Sequence, residues 1–236
     1  MFTYKLIALD LDGTLLDNKQ EISAQNLEWI AKAEQAGLIV SIATGRGRRW
    51  SEQYWSAVSP TSPMVLVNGS EIWRDHQHIL ARHLLPADQV ARLIDVAKEH
   101  GAGYWAIGSA SDGGASLKVG IHHEDLAIIS KLRDLLMSLG EFEVSASAPT
   151  NIEINPKGVS KATGLAEVAA LYGIAPSEVV AVGDSRNDLA MLQWAGLGVA
   201  MGNAEPVVKE AADYIAASNE EDGVAQVIRL ALEQMG

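Results

Sequence analysis

The chain of 236 residues carries 30 acidic and 18 basic side chains, a formal net charge of −12. It therefore lacks the basic balance that nucleic acid or an anionic membrane requires of its main binding partner. The absence of cysteine excludes disulfides and thiolate chemistry. Residues 1–5 have no signal-peptide pattern, and no apolar run approaches the ~20 residues that span a bilayer. These features predict a soluble cytoplasmic protein without nucleic-acid or membrane partners.

Strands and helices alternate along most of the chain. Short apolar runs predict buried strands at residues 5–9, 38–43, 64–67, 179–182 and 197–200. A serine before and a glycine after the pattern predict helices over residues 23–36 and 160–173, and a third helix over 188–195 ends at Gly196. This alternation predicts an α/β fold with a doubly wound, Rossmann-like parallel sheet.

The middle of the chain has a different pattern. It predicts helices over 86–100 and 124–139, strands over 104–107, 117–122, 142–145 and 151–154, and a Gly/Ser-rich loop over 108–116. These elements indicate an α+β unit with antiparallel strands, inserted into the parallel core. The sequence therefore predicts a core domain of residues 1–81 and 156–236 and an inserted domain of residues 82–155.

Two carboxylates stand one residue apart after the first predicted strand, in Asp10-Leu11-Asp12-Gly13-Thr14. Like charges this close repel each other and resist burial, so they need a compensating cation or proton. In open α/β sheets, the carboxyl ends of strands are also where ligands bind. The pattern indicates a functional site. The alternative is an Asp-Gly turn in which Asp12 serves only the turn geometry.

Two further stretches offer groups that bind anions. Thr44-Gly45-Arg46 follows the second predicted strand, where a hydroxyl and backbone N–H groups can meet an anion. The alternative is a threonine that only caps a helix. Lys161 lies near the start of a predicted helix and opposes the helix dipole, which favours a lysine held by a phosphate or a carboxylate. A solvated lysine is the alternative.

Acidic and amide side chains cluster again in Gly183-Asp184-Ser185-Arg186-Asn187-Asp188, after the strand at 179–182. Hard oxygen ligands of this kind suit Mg²⁺. A capping cluster for the next helix is the alternative. Because the carboxyl ends of parallel strands meet at one edge of a sheet, a cation there would also relieve the repulsion between the two acidic motifs.

The order of these motifs resembles that of haloacid dehalogenase (HAD) superfamily phosphatases, over essentially the full chain. Three later stretches are typical of the Cof-like branch (subfamily IIB): Val67-Asn68-Gly69, Met201-Gly202-Asn203-Ala204 and Asp222-Gly223-Val224. That branch carries a type C2B cap between its second and third motifs, where the insert of residues 82–155 falls. The short cap is similar to that of archaeal-type phosphoglycolate phosphatases, and sugar phosphatases are a near alternative.

The resemblance implies a Mg²⁺-dependent phosphatase that hydrolyses a small phosphorylated metabolite, phosphoglycolate or a sugar phosphate. It implies that Asp10 is the nucleophile that forms an aspartyl-phosphate, and that Asp12 is the general acid and base. It implies phosphate contacts at Thr44, Gly45, Lys161 and Asn187. The implied metal site consists of Asp10, Asp12, Asp184 and Asp188.

Other residues are candidates for contacts with the rest of the substrate, each with packing or a solvated surface as the alternative. They are the loop 108–116, Lys118, His122 and His123 in the cap, the basic cluster of Arg46, Arg48 and Arg49, and the tryptophans Trp50, Trp55 and Trp105.

Two other functions fit part of the pattern. A phosphotransferase or phosphomutase has the same nucleophile motif. A receiver-like signalling module also uses an aspartate, a hydroxyl and a lysine, but it lacks the Asp-x-Asp-Gly-Thr motif, the late acidic motif and the inserted cap. The physiological substrate, the pathway, and whether the chain acts alone or as a homodimer stay open.

Overall fold

The computed structural model describes residues 4–108 and 112–233. Its strands are β1 (Leu6–Leu9), β2 (Ile39–Ala43), β3 (Met64–Leu66), β4 (Glu71–Asp75), β5 (His78–Arg82), β6 (Gly103–Ile107), β7 (Lys118–His122), β8 (Phe142–Ser145), β9 (Asn151–Pro156), β10 (Val179–Gly183), β11 (Leu197–Ala200) and β12 (Tyr214–Ile215). Its α-helices are α1 (Ala24–Gln35), α2 (Arg48–Ser51), α3 (Ala87–Glu99), α4 (Leu126–Leu139), α5 (Lys161–Tyr172), α6 (Leu189–Trp194), α7 (Pro206–Ala211) and α8 (Gly223–Glu233).

The larger sheet has the strand order β12-β11-β10-β1-β2-β3-β4-β5. Strands β12 to β3 pair in parallel, and β4 and β5 add an antiparallel edge. All four residues of β1 are fully buried, as expected for a central parallel strand covered on both faces. The predicted α/β class with a parallel Rossmann-like core is confirmed. The topology brings the carboxyl ends of β1, β2 and β10 to one edge.

The predicted helix boundaries rest on local hydrogen bonds. The Ser23 side chain accepts from the backbone N–H of Asn26 at the start of α1. Ser160 accepts in the same way from Thr163 at the start of α5, and Gly173 ends α5 in the left-handed region. These caps satisfy backbone groups that a helix end otherwise leaves without partners. As a result, Lys161 is fixed as the first residue of α5.

The smaller sheet is antiparallel, with the order β6-β7-β9-β8. One face packs on α3 and α4 through its own apolar cluster, which includes Val119, Ile121, Ile152 and Ile154. The alternating residues of β7 and β9, such as Lys118 and Glu153, point to the other face. The predicted α+β insert is therefore present.

The proposed domain boundaries fall inside two strands. Arg82 is the last residue of β5 in the larger sheet, and Pro156 is the last residue of β9 in the smaller sheet. The division at 81/82 and 155/156 thus cuts each strand one residue before its end, and it stays a prediction. Within the described ranges, none of the helices has both the length and the apolar character that a membrane span requires.

A close approach between two loops requires glycine at position 69. Gly69 has a φ of +96°, and a Cβ there would lie 2.2 Å from the carbonyl oxygen of Ser160. Gly140 also has a positive φ, +64°, but a Cβ on Gly140 would have no neighbouring atom within 4 Å. We expect Gly69→Ala to lower the free energy of unfolding by about 2 kcal/mol more than Gly140→Ala does. Equal losses for the two variants in urea denaturation would contradict the close approach.

Candidate active site

The candidate site lies where three parallel strands of the larger sheet end. Asp10 follows β1, Thr44 follows β2 and Asp184 follows β10. Backbone pairing continues one residue past β1, because the N–H of Asp10 donates to the carbonyl of Val182 at 3.1 Å. This is the edge at which open α/β sheets bind ligands.

Lys161 joins the first and last acidic motifs. Its Nζ donates to Asp10 Oδ1 and to Asp188 Oδ1, each at 2.6 Å. Lys161 and Asp188 are fully buried, and Asp10 is 4% exposed. Burial alone would lower the pKa of Lys161, but the two carboxylates raise it. Lys161 is therefore a charged ammonium that compensates the buried acids, and it is not a solvated lysine.

Asp188 also fixes the loop that follows β10. Its Oδ2 accepts from the backbone N–H groups of Asp184 and Ser185, each at 3.0 Å. Both oxygens of this side chain therefore have protein partners. Asp188 thus makes the backbone hydrogen bonds that the capping alternative describes, and the same side chain also binds Lys161.

Three carboxylates lie close together at this site, and Lys161 pairs with two of them, Asp10 and Asp188. Asp10, Asp184 and Asp188 each offer an oxygen, and these oxygens lie within 4.8 Å of one another. Burial and the Asp188 carboxylate raise the pKa of Asp184 to about 7. Asp184 Oδ1 is buried and has no hydrogen-bond partner among the described residues. The site therefore has excess negative charge and an unsatisfied oxygen, which a cation would relieve.

Asp12 has a different environment from Asp10. It is half-exposed, and both of its oxygens accept hydrogen bonds from Arg46, Oδ2 from Nε at 2.8 Å and Oδ1 from Nη2. Arg46 also donates to the backbone carbonyl of Trp50 at 3.1 Å. This bidentate pair links the first and second motifs. The sequence predicted Arg46 as part of a basic cluster and gave no indication of this partner.

The remaining phosphate-binding candidates divide into two groups. Gly45 and Asn187 line a cavity of about 850 Å³ that also contains Asp10, Asp12 and Asp184. Thr44 is fully buried, and its Oγ1 accepts from the backbone N–H of Arg46 at 3.1 Å. Thr44 is not one of the described residues that line the cavity. Its hydrogen bond is the local contact expected of a threonine that orders the turn.

Two asparagines from the later motifs support the loops of the site. Asn203 Nδ2 donates to the carbonyl of Gly13 at 2.8 Å. Asn68 Nδ2 donates to Glu153 at 2.6 Å, which joins the larger sheet to the smaller one. The sequence showed these asparagines as motif members but not their roles, because both bonds connect distant parts of the chain.

Lys118 and Glu153 form an ion pair that the sequence did not predict. Lys118 is 1% exposed, and its Nζ lies 3.1 Å from Glu153 Oε2 and donates to the Gly45 carbonyl at 2.7 Å. Burial lowers the pKa of Lys118, and Glu153 opposes this shift. Both residues line the cavity. The surface alternative for Lys118 is therefore wrong.

Only some of the other described candidates for substrate contacts line the cavity. Trp50 and Trp105 line the cavity, whereas Trp55 is a buried core residue. Arg48 pairs with Glu52. The described cavity lining does not include His122, His123, or residues 108 and 112–116 of the candidate loop, and residues 109–111 lie outside the described part of the chain.

Comparison with known proteins places this site in a family. The family described as haloacid dehalogenase-like hydrolase matches residues 7–118 and 111–228. The chain is 41% identical over 235 residues to 5-amino-6-(5-phospho-D-ribitylamino)uracil phosphatase YcsE of Bacillus subtilis (strain 168), covering 95% of this chain and 94% of that protein.

Two solved structures share the whole architecture. A haloacid dehalogenase-like hydrolase from Bacteroides thetaiotaomicron is 30% identical, with a TM-score of 0.82, and the match covers 96% of this chain and 99% of that one. The HAD subclass IIB sugar phosphatase BT4131 has the same fold, with a TM-score of 0.83 at 21% identity over 96% of this chain and 98% of that one.

A parallel sheet with an acidic site at its carboxyl edge and an inserted antiparallel cap defines a capped α/β hydrolase. The chain belongs to the haloacid dehalogenase-like hydrolases, and within them it is a phosphatase of the Cof-like branch, a phosphoric monoester hydrolase. It acts on small phosphorylated compounds. The inserted cap and the family membership argue against the receiver-like signalling module.

Proposed function

We propose that this protein is a Mg²⁺-dependent phosphatase that hydrolyses 5-amino-6-(5-phospho-D-ribitylamino)uracil, or a close analogue, through an aspartyl-phosphate. The observation that carries the chemistry is the buried Asp10, which receives a 2.6 Å hydrogen bond from Lys161 and also lines the cavity. The substrate follows the relative that is 41% identical over nearly the whole chain. Each part of the proposal has separate support.

The first chemical step uses Asp10 as the nucleophile. An Asp10 oxygen forms a bond to phosphorus while the bond from phosphorus to the ester oxygen breaks. Asp12, protonated on an oxygen that leaves its hydrogen bond with Arg46 when the substrate enters, donates this proton to the departing alcohol oxygen. Lys161 orients Asp10 and keeps a positive charge beside it, which suits a reaction that depends mainly on positioning and charge stabilisation.

The second step regenerates the enzyme. Asp12, now a carboxylate, accepts a proton from water while the water oxygen attacks phosphorus of the aspartyl-phosphate. The bond from Asp10 to phosphorus breaks, and inorganic phosphate leaves. The support for this role is that Asp12 lines the same cavity as Asp10 but remains half-exposed, where water can reach it. The pair with Arg46 holds its carboxylate in place between the two steps.

The acidic cluster fits a divalent cation with oxygen ligands. Asp184 Oδ1, which has no hydrogen-bond partner in the described part of the chain, and the Asp10 carboxylate are suitable donors. The main-chain carbonyl of Asp12 is the third proposed donor. Asp188 is proposed to hold Lys161 and the Asp184 loop in place and not to bind the cation directly, since both of its oxygens already accept hydrogen bonds from protein groups. When bound, Mg²⁺ would neutralise charge on the phosphate and on the carboxylates.

The remaining polar groups are proposed to bind the phosphate. Gly45 and Asn187 line the cavity next to the acidic groups. Thr44 keeps the turn in shape through its bond to the Arg46 N–H, so that the backbone N–H groups after β2 can meet an anion. Lys161 contributes through its charge.

The cavity favours a leaving group larger than glycolate. A volume of about 850 Å³ lies in the upper part of the range for small-molecule sites. A phosphoglycolate molecule would leave most of this space empty, whereas a ribityl chain with a pyrimidine ring would occupy far more of it. For this reason the ribitylaminouracil ester precedes phosphoglycolate, and the 41% identical relative supports ranking it before the sugar phosphates, the other substrates that the sequence alone favoured.

Phosphate release from a panel of substrates in Mg²⁺ tests the proposal. The panel contains the ribitylaminouracil phosphate, phosphoglycolate, hexose phosphates, nucleotides and pyridoxal phosphate. We expect kcat/KM for the first to exceed that for phosphoglycolate at least about tenfold, a difference of ~1.4 kcal/mol in transition-state binding. EDTA should stop the reaction, and added Mg²⁺ should restore it.

Three outcomes would contradict parts of this proposal. A rate that EDTA does not change would refute the role of the metal. A clear preference for phosphoglycolate or a hexose phosphate would refute the substrate but not the chemistry. An isomerised ester with little free phosphate would favour the phosphomutase alternative.

A further inference from the structure

One tryptophan in the cap lies flat on a glycine of the neighbouring strand. Trp105 in β6 pairs in register with Gly120 in β7. A Cβ on Gly120 would lie 2.1 Å from Trp105 Cε2, 2.3 Å from Cζ2 and 2.5 Å from Nε1. Three ring atoms therefore cover the position where any other residue would carry a side chain. The indole can lie across the sheet only because position 120 is glycine.

This indole also borders the catalytic cavity. Trp105 is half-buried and lines the same cavity as Asp10 and Asp12. One of its faces lies against Gly120, and the Lys118 ammonium lies 5.2 Å from the centroid of the ring. An aromatic ring held in this way can stack against a planar ligand with little loss of side-chain entropy.

The strand that carries Gly120 is fixed over the catalytic loops. Lys118, two residues before Gly120, donates to the Gly45 carbonyl, and its Nζ lies 5.2 Å from the centroid of the Trp105 ring. Glu153 in β9 accepts a hydrogen bond from Asn68, which lies in the turn between β3 and β4. The two hydrogen bonds hold β7 and β9, and with them the indole carried by β6, against the loops that follow β2 and β3.

Polar groups lie around Trp105 in the cavity. Lys118, Glu153 and Ser147 line the cavity together with Trp105, and Ser147 Oγ donates to Glu153 Oε1 at 3.1 Å. They offer donors and acceptors beside an aromatic face. This combination matches a flat heteroaromatic ring with polar atoms on its edge, and it is poorly suited to a compact acyclic leaving group.

We propose that Trp105, seated on Gly120, is the platform on which the planar heteroaromatic ring of the leaving group stacks. The phosphate, joined to that ring by a short flexible chain, reaches Asp10. This inference rests on the proposed function, since it assigns the recognition of that substrate to a residue. Trp105 is thus a specificity-determining residue, and it takes no part in the bond changes.

A pair of substrates with the same phosphorylated ribityl chain, one with the ring and one without it, tests the platform. 5-Amino-6-(5-phospho-D-ribitylamino)uracil and D-ribitol 5-phosphate share the phosphorylated chain, but only the first has the pyrimidine. The measured quantity is the ratio of their kcat/KM values. We expect this ratio to fall about tenfold or more in Trp105→Leu, because stacking of a base on an aromatic side chain is typically worth one to two orders of magnitude in affinity.

Two further variants complete the test. Trp105→Phe keeps an aromatic face and should retain the ratio to within about threefold. Trp29→Leu removes a tryptophan of α1 that does not line the catalytic cavity within the described residues, so its ratio should equal that of the wild type. A ratio that Trp105→Leu leaves unchanged would overturn the platform, as would equal losses in the leucine and phenylalanine variants.

Binding separates failure of the platform from failure of the proposed function. Asp10→Asn lacks the nucleophile, so calorimetry on this variant measures binding of the ribitylaminouracil phosphate without turnover. Binding that weakens about tenfold when Trp105→Leu is added supports the platform even where the wild type releases no phosphate. Binding that the second substitution leaves unchanged would overturn it.

Discussion

Replacing Asp10 by asparagine is expected to reduce phosphate release by about 10⁴-fold or more. An amide oxygen does not form the acyl phosphate, so the covalent step has no substitute at this position. The side chain is nearly isosteric, and Lys161 keeps its 2.6 Å hydrogen bond to Asp188. The variant should therefore fold, with a circular dichroism spectrum that matches the wild type.

A surface aspartate provides the matched control. Asp95→Asn, in α3 of the cap, changes the same chemical group at a side chain that is 70% exposed. It should retain the wild-type rate. A rate of Asp10→Asn within about tenfold of the wild type would refute the nucleophile assignment, since general electrostatic effects are much smaller than the loss of a nucleophile.

Replacing Lys161 by methionine should reduce both stability and activity. The substitution leaves Asp10, Asp184 and Asp188 close together without their ammonium. Removing one partner of a buried ion pair typically costs about 3–5 kcal/mol, because the remaining charge stays buried without compensation. Phosphate release should also fall by about 10²–10³-fold, the usual effect of losing one group that stabilises transition-state charge.

Urea denaturation with and without Mg²⁺ measures this effect. A divalent cation at the acidic cluster would replace part of the missing positive charge, so Mg²⁺ should stabilise Lys161→Met more than the wild type. Lys98→Met removes an exposed lysine and should change the free energy of unfolding by less than about 0.5 kcal/mol. A loss below about 1 kcal/mol in Lys161→Met would show that the buried pair does not compensate the site as described.

The sheet edge that carries the candidate site could be predicted from sequence because its determinants are local. The run of apolar residues before Asp10 identifies β1, and the same pattern before Asp184 identifies β10. Parallel pairing then brings the two acidic motifs together without further information. Lys161 needed one more step, since its misfit with the helix dipole indicated an anionic partner but not which one.

The contacts between the cap and the core could not be predicted in this way. Lys118 and Glu153 are far apart in sequence and have no mutual spacing that indicates an ion pair. Alone, each has the character of a solvated side chain. Only the register of β7 and β9 turns both toward the cavity. The contact between Trp105 and Gly120 depends in the same way on the register of β6 and β7.

The antiparallel edge of the larger sheet was also missing from the predicted elements. Strand β5 is at the edge of the sheet, and four of its five residues are exposed. Because neither face of such a strand is buried, its sequence has no alternation of apolar and polar residues. Strand β4 is buried only in its first three residues. Without a periodic pattern, neither strand is distinguishable from a loop in the sequence. The difference does not change the site, which lies at the carboxyl ends of β1, β2 and β10.

The most direct test of the proposed mechanism is to trap the phosphate on Asp10. p-Nitrophenyl phosphate has a leaving group that departs without a proton, so Asp12→Asn should form the aspartyl-phosphate and then hydrolyse it slowly. We predict a burst that approaches one nitrophenolate per active site, followed by slow turnover. After acid quenching and proteolysis, the peptide that contains Asp10 should carry one phosphoryl group. Borohydride should reduce this aspartyl-phosphate to homoserine and release inorganic phosphate. Nitrophenolate released by the variant without a phosphoryl group on Asp10 would contradict the proposed mechanism.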